Sequence, residues 1–205
     1  MKKAVFILIL LALTFCAALA EGPPVITADG DLSDWAGIYP LCEGEDKIAV
    51  LYAFKTDTHV CIAFSAPDNT DISIYDVMLD TDMDATTGFG ANGRHKAAGL
   101  DFLVETWCAG WHRGESGDWD WAEETYPILK AGSGDKTANE VVIPLETLGN
   151  PDEIRIIAWA CNSDWENIGF APEIGKEPVK VPCYTEVIGA PITEPLADFT
   201  LTVQD

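Results

Sequence analysis

The chain has 205 residues, with 34 Asp and Glu against 12 Lys and Arg and a formal net charge of −22. Acidity on that scale excludes nucleic acid and anionic membranes as partners, because both repel it. It leaves sugars, divalent cations and other proteins open, and the length is enough for one domain with a core of its own.

Lys2 and Lys3 precede an unbroken apolar run from Ala4 to Phe15, and Ala18-Leu19-Ala20 supplies the small residues of a cleavage site before Glu21. The pattern predicts a secretory signal peptide over residues 1–20, cut near Ala20, and a secreted or cell-surface protein. The run is shorter than the roughly 20 residues that a spanning helix needs, so no membrane insertion is expected. Residues 21–205 show no linker and no internal repeat, which predicts a single domain. Cys42, Cys61, Cys108, Cys161 and Cys183 remain after cleavage. Export permits disulfides, but an odd count leaves at least one thiol free or paired between molecules, and the connectivity stays open.

"KIAVLYAFKTD" and "HVCIAFSAP" are β-branched and aromatic runs joined by Thr56-Asp57-Thr58, a hairpin signal. In "DISIYDVMLDTD", alternation sets Ile72, Ile74 and Asp76 on one face and Tyr75, Val77 and Leu79 on the other. "GLDFLVETW", "NEVVIPLE", "EIRIIAWAC" and "ADFTLTV" are further strand candidates, separated by Gly, Pro, Asn and Asp clusters. "PLETLG" alone has a helical cast, opened by Pro144 and closed by Gly149. The prediction is an all-β, antiparallel β-sandwich, with jelly-roll or immunoglobulin-like layering and at most one short helix.

Catalytic signatures are missing. "GFGANG" over residues 88–93 fits G-x-G-x-x-G, but a loop and a strand follow it where a dinucleotide fold needs a helix. There is no G-x-S-x-G or H-E-x-x-H, and His59, His95 and His112 lie scattered. The reading is of a protein that is not an enzyme and uses no organic cofactor.

Asp80, Asp82 and Asp84 stand at alternate positions of "LDTDMDATTGFG". They match positions 1, 3 and 5 of an EF-hand loop, but Ala85 and Ala91 stand where that loop needs Gly and Glu. At a strand end, Asp80 and Asp82 would share a face. The stretch reads either as a Ca²⁺ site or as a solvated acidic turn. In "WCAGWHRGESGDWDW", Trp119 and Trp121 are two apart and would share a face of an extended arm. With Trp111 and with Asp118 or Asp120 they would form a platform for a sugar ring; the alternative is a hairpin whose aromatics pack on the sandwich. Trp159, in "IIAWA", reads as core.

Five stretches in order resemble one family. "ITADGDLSDWAGI" is similar to the DG-x-L-S-D-W opening of family 9 carbohydrate-binding modules and their DOMON-like relatives. "VMLDTDMDATTGFG" resembles their D-T-D…T-G segment, "AAGLDFLVE" the G-x-D-Y-x-I-E strand, and "NEVVIPLETLG" the E-x-x-I-P-L-x-x-L-G segment. "IRIIAWACNSDWENIGFAPE" is similar to the penultimate strand. The resemblance implies an antiparallel sandwich stabilised by calcium, with Asp101 joining the three earlier aspartates as a ligand, and a polysaccharide or cell-surface glycan as partner. It makes "DGDLSDW" structural, with Trp35 capping the core. Two alternatives share this frame. One is an envelope or adhesion scaffold that binds no free sugar. The other is a haem-binding electron-transfer domain that would draw on Met78, Met83 and the histidines.

Overall fold

The computed structural model describes residues 25–67, 72–114, 118–121 and 126–187. The signal peptide and the strand "ADFTLTV" expected from sequence both lie outside the described residues. After a 3₁₀ turn, η1 (Leu32–Trp35), come β1 (Cys42–Glu43), β2 (Glu45–Asp46), β3 (Val50–Lys55), β4 (His59–Ser65) and β5 (Ile74–Asp80). A second 3₁₀ turn, η2 (Ala91–Gly93), precedes β6 (Phe102–Glu105), β7 (Ala109–His112), β8 (Trp119–Trp121), β9 (Leu129–Gly132) and β10 (Ala138–Pro144). The chain continues through η3 (Leu145–Leu148), β11 (Arg155–Cys161), β12 (Asn167–Ala171), β13 (Val179–Lys180) and one α-helical turn, α1 (Tyr184–Val187).

The strands form an all-β antiparallel sandwich. One sheet runs β1-β3-β4-β10-β9; the other runs β2-β12-β11-β5-β6-β7-β8, with β13 beside β11. Between them lies the main core. Leu51, Ile62, Phe64, Val141 and Ile143 of the smaller sheet meet Tyr75, Val77, Leu79, Phe102, Val104 and Ile156 of the larger. The predicted hairpin is β3–β4, whose turn is closed by the Thr56 amide donating to the His59 carbonyl at 2.8 Å. "PLETLG" forms η3, ended by Gly149 at φ +79°.

Both sheets are also covered on their outer faces, which gives four layers instead of two. Phe54, Cys61, Ala63 and Val142 lie under Ile26, Trp35, Ile38 and Val187. Met78, Leu103, Ile157 and Trp159 lie under the long β5–β6 connection, which contributes Phe89, Ala91, Ala98 and Leu100. The double covering explains the continuous apolar runs of β4 and of Val141-Val142-Ile143 in β10, which lack the alternation of a half-exposed strand. The glycine-rich "GFGANG" belongs to this cover. Gly88, at φ +63°, lies so close to Leu100 that a Cβ there would come within 2.5 Å of the Leu100 carbonyl oxygen.

Among the described residues, none of Cys42, Cys61, Cys108, Cys161 and Cys183 forms a disulfide. Cys61 belongs to the layer outside the smaller sheet. Cys161 alternates with Trp159 and Ile157 on the outer face of the larger sheet, so the whole sandwich separates the two buried thiols. Among the described residues, no helix is long and apolar enough to cross a membrane.

Candidate functional site

β5 carries its chemistry on the outer face. Tyr75, Val77 and Leu79 point into the main core, so alternation turns Asp76, Met78 and Asp80 outward. Asp80 ends the strand opposite Arg155 of β11. Its carboxylate is fully buried and pairs with the Arg155 guanidinium, accepting from Nε at 2.8 Å and also from a terminal nitrogen. Oδ1 accepts the Met83 amide at 2.7 Å, which tightens the turn after the strand.

Ligand oxygens of Asp80, Asp82 and Asp101 all lie within 4.8 Å of one another. Asp82 accepts the Asp84 amide at 2.8 Å and the Thr87 hydroxyl at 2.9 Å. Asp101, just ahead of β6, takes the Thr81 amide at 2.8 Å and its hydroxyl at 3.1 Å on Oδ2. Burial raises the Asp101 pKa, and repulsion from Asp82 and Asp80 adds to the rise. The structure therefore brings together three of the four expected ligands. Asp84 is not among them: its carboxylate turns to Thr86, accepting from the amide at 2.9 Å and the hydroxyl at 2.6 Å. With Arg155 paired to Asp80, the three carboxylates keep a net charge of about −2, the amount one divalent cation cancels. Hard oxygen donors on a strand end and its loop suit Ca²⁺ in kind.

The predicted aromatic platform is not assembled as one surface. Trp119 and Trp121 do share a face, with ring centroids 6.3 Å apart. Trp111 pairs with Asp120, one register position away, and packs inward against Phe102 and the main core. The reason is the period of two along β7, which sets Trp111 and His112 on opposite sides of the sheet. Trp119 is only 7% exposed and packs on Phe89 and His112 under the β5–β6 cover. Of the three, Trp121 alone is exposed. Asp118 is exposed at the start of β8, where its carbonyl accepts the Arg113 amide at 2.9 Å; the Asp120 carboxylate is held by the Arg113 side chain.

A different aromatic pair is exposed. Trp107, in the β6–β7 turn, is 60% exposed, and Trp165, in the β11–β12 turn, is 54% exposed. Their ring centroids are 6.1 Å apart, with planes inclined at 59°. Both turns overhang the end of the sheet at which β5 begins. There Asp76 stands opposite Glu105. Asp76 Oδ1 is sealed from solvent with no hydrogen-bond partner among the described residues. Burial, reinforced by Glu105, raises the Asp76 pKa to about 7. Glu105 is raised by burial too, and accepts a weak bond from Cys108 Sγ at 3.5 Å. Cys161, pushed up to about 12 by burial and then by Asp76 and Glu105, lines the same outer face.

No family model and no curated protein matches the chain.

Neither Trp107 nor Trp165 belongs to the platform expected from sequence. Trp165 sits at φ +65°, a conformation rare for a bulky side chain. Its turn is held by Asn162, whose Oδ1 accepts the amides of Asp164 at 3.0 Å and Glu166 at 2.9 Å. The "N-S-D-W-E" stretch does carry a turn signal in Asn162, but only the sheet order shows that this turn meets the one after β6.

Proposed function

We propose that the protein is a non-catalytic glycan-binding β-sandwich of exported type, stabilised by Ca²⁺. The observation that carries this reading is the exposed Trp107–Trp165 pair above the Asp76–Glu105 carboxylates. Beyond their contact with each other, the two indoles leave apolar ring surface in water, and stacking on the C–H face of a sugar ring buries it. The resemblance to family 9 carbohydrate-binding modules supports the same conclusion. So does the acidic, signal-peptide-bearing sequence, which suits the cell exterior.

The Ca²⁺ would be held by Asp80, Asp82 and Asp101, and would pin the β5–β6 cover to the sheet. Met78 and His95 favour this reading over haem binding. Met78 is 2% exposed within the packed layer, and His95 Nε2 accepts the Trp159 indole N–H at 3.3 Å. A glycan array, followed by titration of indole fluorescence, tests the proposal. Saturable quenching by at least one polysaccharide is expected; fluorescence unmoved by every glycan, with calcium present, would overturn it.

A further inference from the structure

The sandwich opens at the end where β5 begins. A cavity of about 230 Å³ lies there between the sheets, lined by Tyr75 and Thr106 on one side and by Lys130, Gly132 and Asn139 on the other. The volume is several times the roughly 30 Å³ that a water occupies in the liquid. Asn139 follows the parity of Val141 and Ile143, which puts its side chain between the sheets. Asn139 is 8% exposed, and its Nδ2 has no hydrogen-bond partner among the described residues. A buried amide left so costs stability unless something arrives to accept from it.

The lining is rich in donors. Lys130 Nζ spends one hydrogen on the Glu105 carbonyl at 3.1 Å and has two more without an acceptor among the described residues. Thr106 Oγ1 accepts the Tyr75 amide at 2.9 Å, and its own hydrogen has no acceptor among the described residues. Burial raises the Tyr75 pKa, so the phenol stays protonated and able to donate. In a chain with 34 acidic residues, none of these lining residues is Asp or Glu. Gly132 faces Asn139 across the β9–β10 ladder. A Cβ at Gly132 would stand 2.9 Å from Asn139 Oδ1, so the glycine keeps this space open.

We propose that this cavity is a binding site for a carboxylate group, held by Lys130 Nζ and Asn139 Nδ2. One cation, flanking neutral donors and a compact volume suit a monoanion with two acceptor oxygens. The site lies between the sheets, whereas the tryptophan pair overhangs the outer face, and it stands independently of the glycan reading. The carboxylate belongs either to a free small acid or to a sugar acid.

The test follows the Asn139 side-chain amide resonance of the ¹⁵N-labelled full mature chain at physiological ionic strength. Acetate, glucuronate and glucose are titrated separately. A saturable shift with acetate and none with glucose is expected. A matching shift with glucuronate identifies the source as a sugar acid, and its absence identifies a small free acid. Lys130→Met removes the charge and Gly132→Ala fills the space; each should weaken acetate by about tenfold or more, the scale of one charge-assisted hydrogen bond. If one variant fails to fold, the other decides. No saturable shift with acetate, or affinity unchanged in a folded variant, overturns the proposal. Acetate has no ring to stack, so this failure would leave the tryptophan reading standing.

Discussion

Trp35 and Glu140, 105 residues apart, are joined by a buried hydrogen bond of 2.8 Å from the indole N–H to Oε1. The other oxygen accepts the amides of Asp29 at 3.0 Å and Gly30 at 2.6 Å. Glu140 is fully buried in the middle of β10, so one carboxylate fastens the whole "DGDLSDW" segment over the outer face of the smaller sheet. Gly30 can approach this closely only without a Cβ, which would lie 2.5 Å from the Gly132 carbonyl carbon. Glu140→Ala strands three donors and should cost roughly 3–5 kcal/mol in denaturant unfolding. Trp35→Phe loses one donor as well as some ring contact and should cost less. Equal, small effects in both variants would show that the carboxylate is not the fastener.

Calcium is the second prediction. A cation bound only by the native state at 100 times its Kd adds about 2.7 kcal/mol. Melting temperature should therefore rise between EDTA and millimolar Ca²⁺. Asp82→Ala should remove the rise, whereas Asp84→Ala should keep most of it, since the Asp84 carboxylate serves Thr86. Asp80 is a poor probe: removing it leaves the largely buried Arg155 unpaired, which destabilises the fold by itself. Melting curves that coincide with and without calcium would rule the site out.

How far the sequence reaches can be judged residue by residue. Alternation along β5 correctly turned Tyr75, Val77 and Leu79 to one side, because a period of two is local. The covers over both sheets were not legible, since a strand buried on two faces reads only as an apolar run. Arg155 shows the larger gap. It lies 75 residues from Asp80, so the basic neighbour of the acidic stretch could not be found by looking along the chain. Asp101, by contrast, came from the resemblance and does meet Asp80 and Asp82. The tryptophans failed for the same reason as Arg155: Trp107 and Trp165 meet through strand order alone.

The third prediction is a dependence of stability on pH. The folded Asp76 titrates near 7 and the unfolded one near 3.8. Between these values the native state holds more protons than the unfolded one, so stability falls as pH rises from about 4 to about 7 and levels off above. Glu105 and Asp101 are also raised and act in the same direction. The Asp76 contribution alone is on the order of 4 kcal/mol, from a shift of about three pH units at 1.36 kcal/mol each. Glu105 from β6 and Cys161 from β11 face Asp76, and Arg94 lies near enough to Cys161 to be felt there. Thermal melts of Asp76→Asn should lose most of the fall seen in the wild-type chain. A wild-type melting temperature that climbs steadily from pH 5 to pH 7.5 would contradict the assignment.

The last prediction separates surface tryptophans from structural ones. Trp119 is buried against Phe89 and His112, so Trp119→Ala opens a cavity and should cost roughly 3–5 kcal/mol in stability. Trp107 and Trp165 are both more than half exposed, and each touches the other across two turns. Their replacement by alanine removes little buried area. Surface substitutions of this kind usually stay within about 0.5 kcal/mol, and relief of the φ +65° conformation at residue 165 gives Trp165→Gly a chance to stabilise the turn. Glycan affinity should move the other way. Losing either ring removes one stacking face and should weaken binding by about tenfold or more, equivalent to 1.4 kcal/mol. Trp121→Ala, which removes a ring that packs on Trp119 and belongs to neither turn of the exposed pair, should leave affinity within about twofold, a change of less than 0.5 kcal/mol. Isothermal titration beside thermal melts on the four alanine variants distinguishes the cases. Binding lost in Trp121→Ala and retained in Trp107→Ala and Trp165→Ala would move the site to the β7–β8 arm.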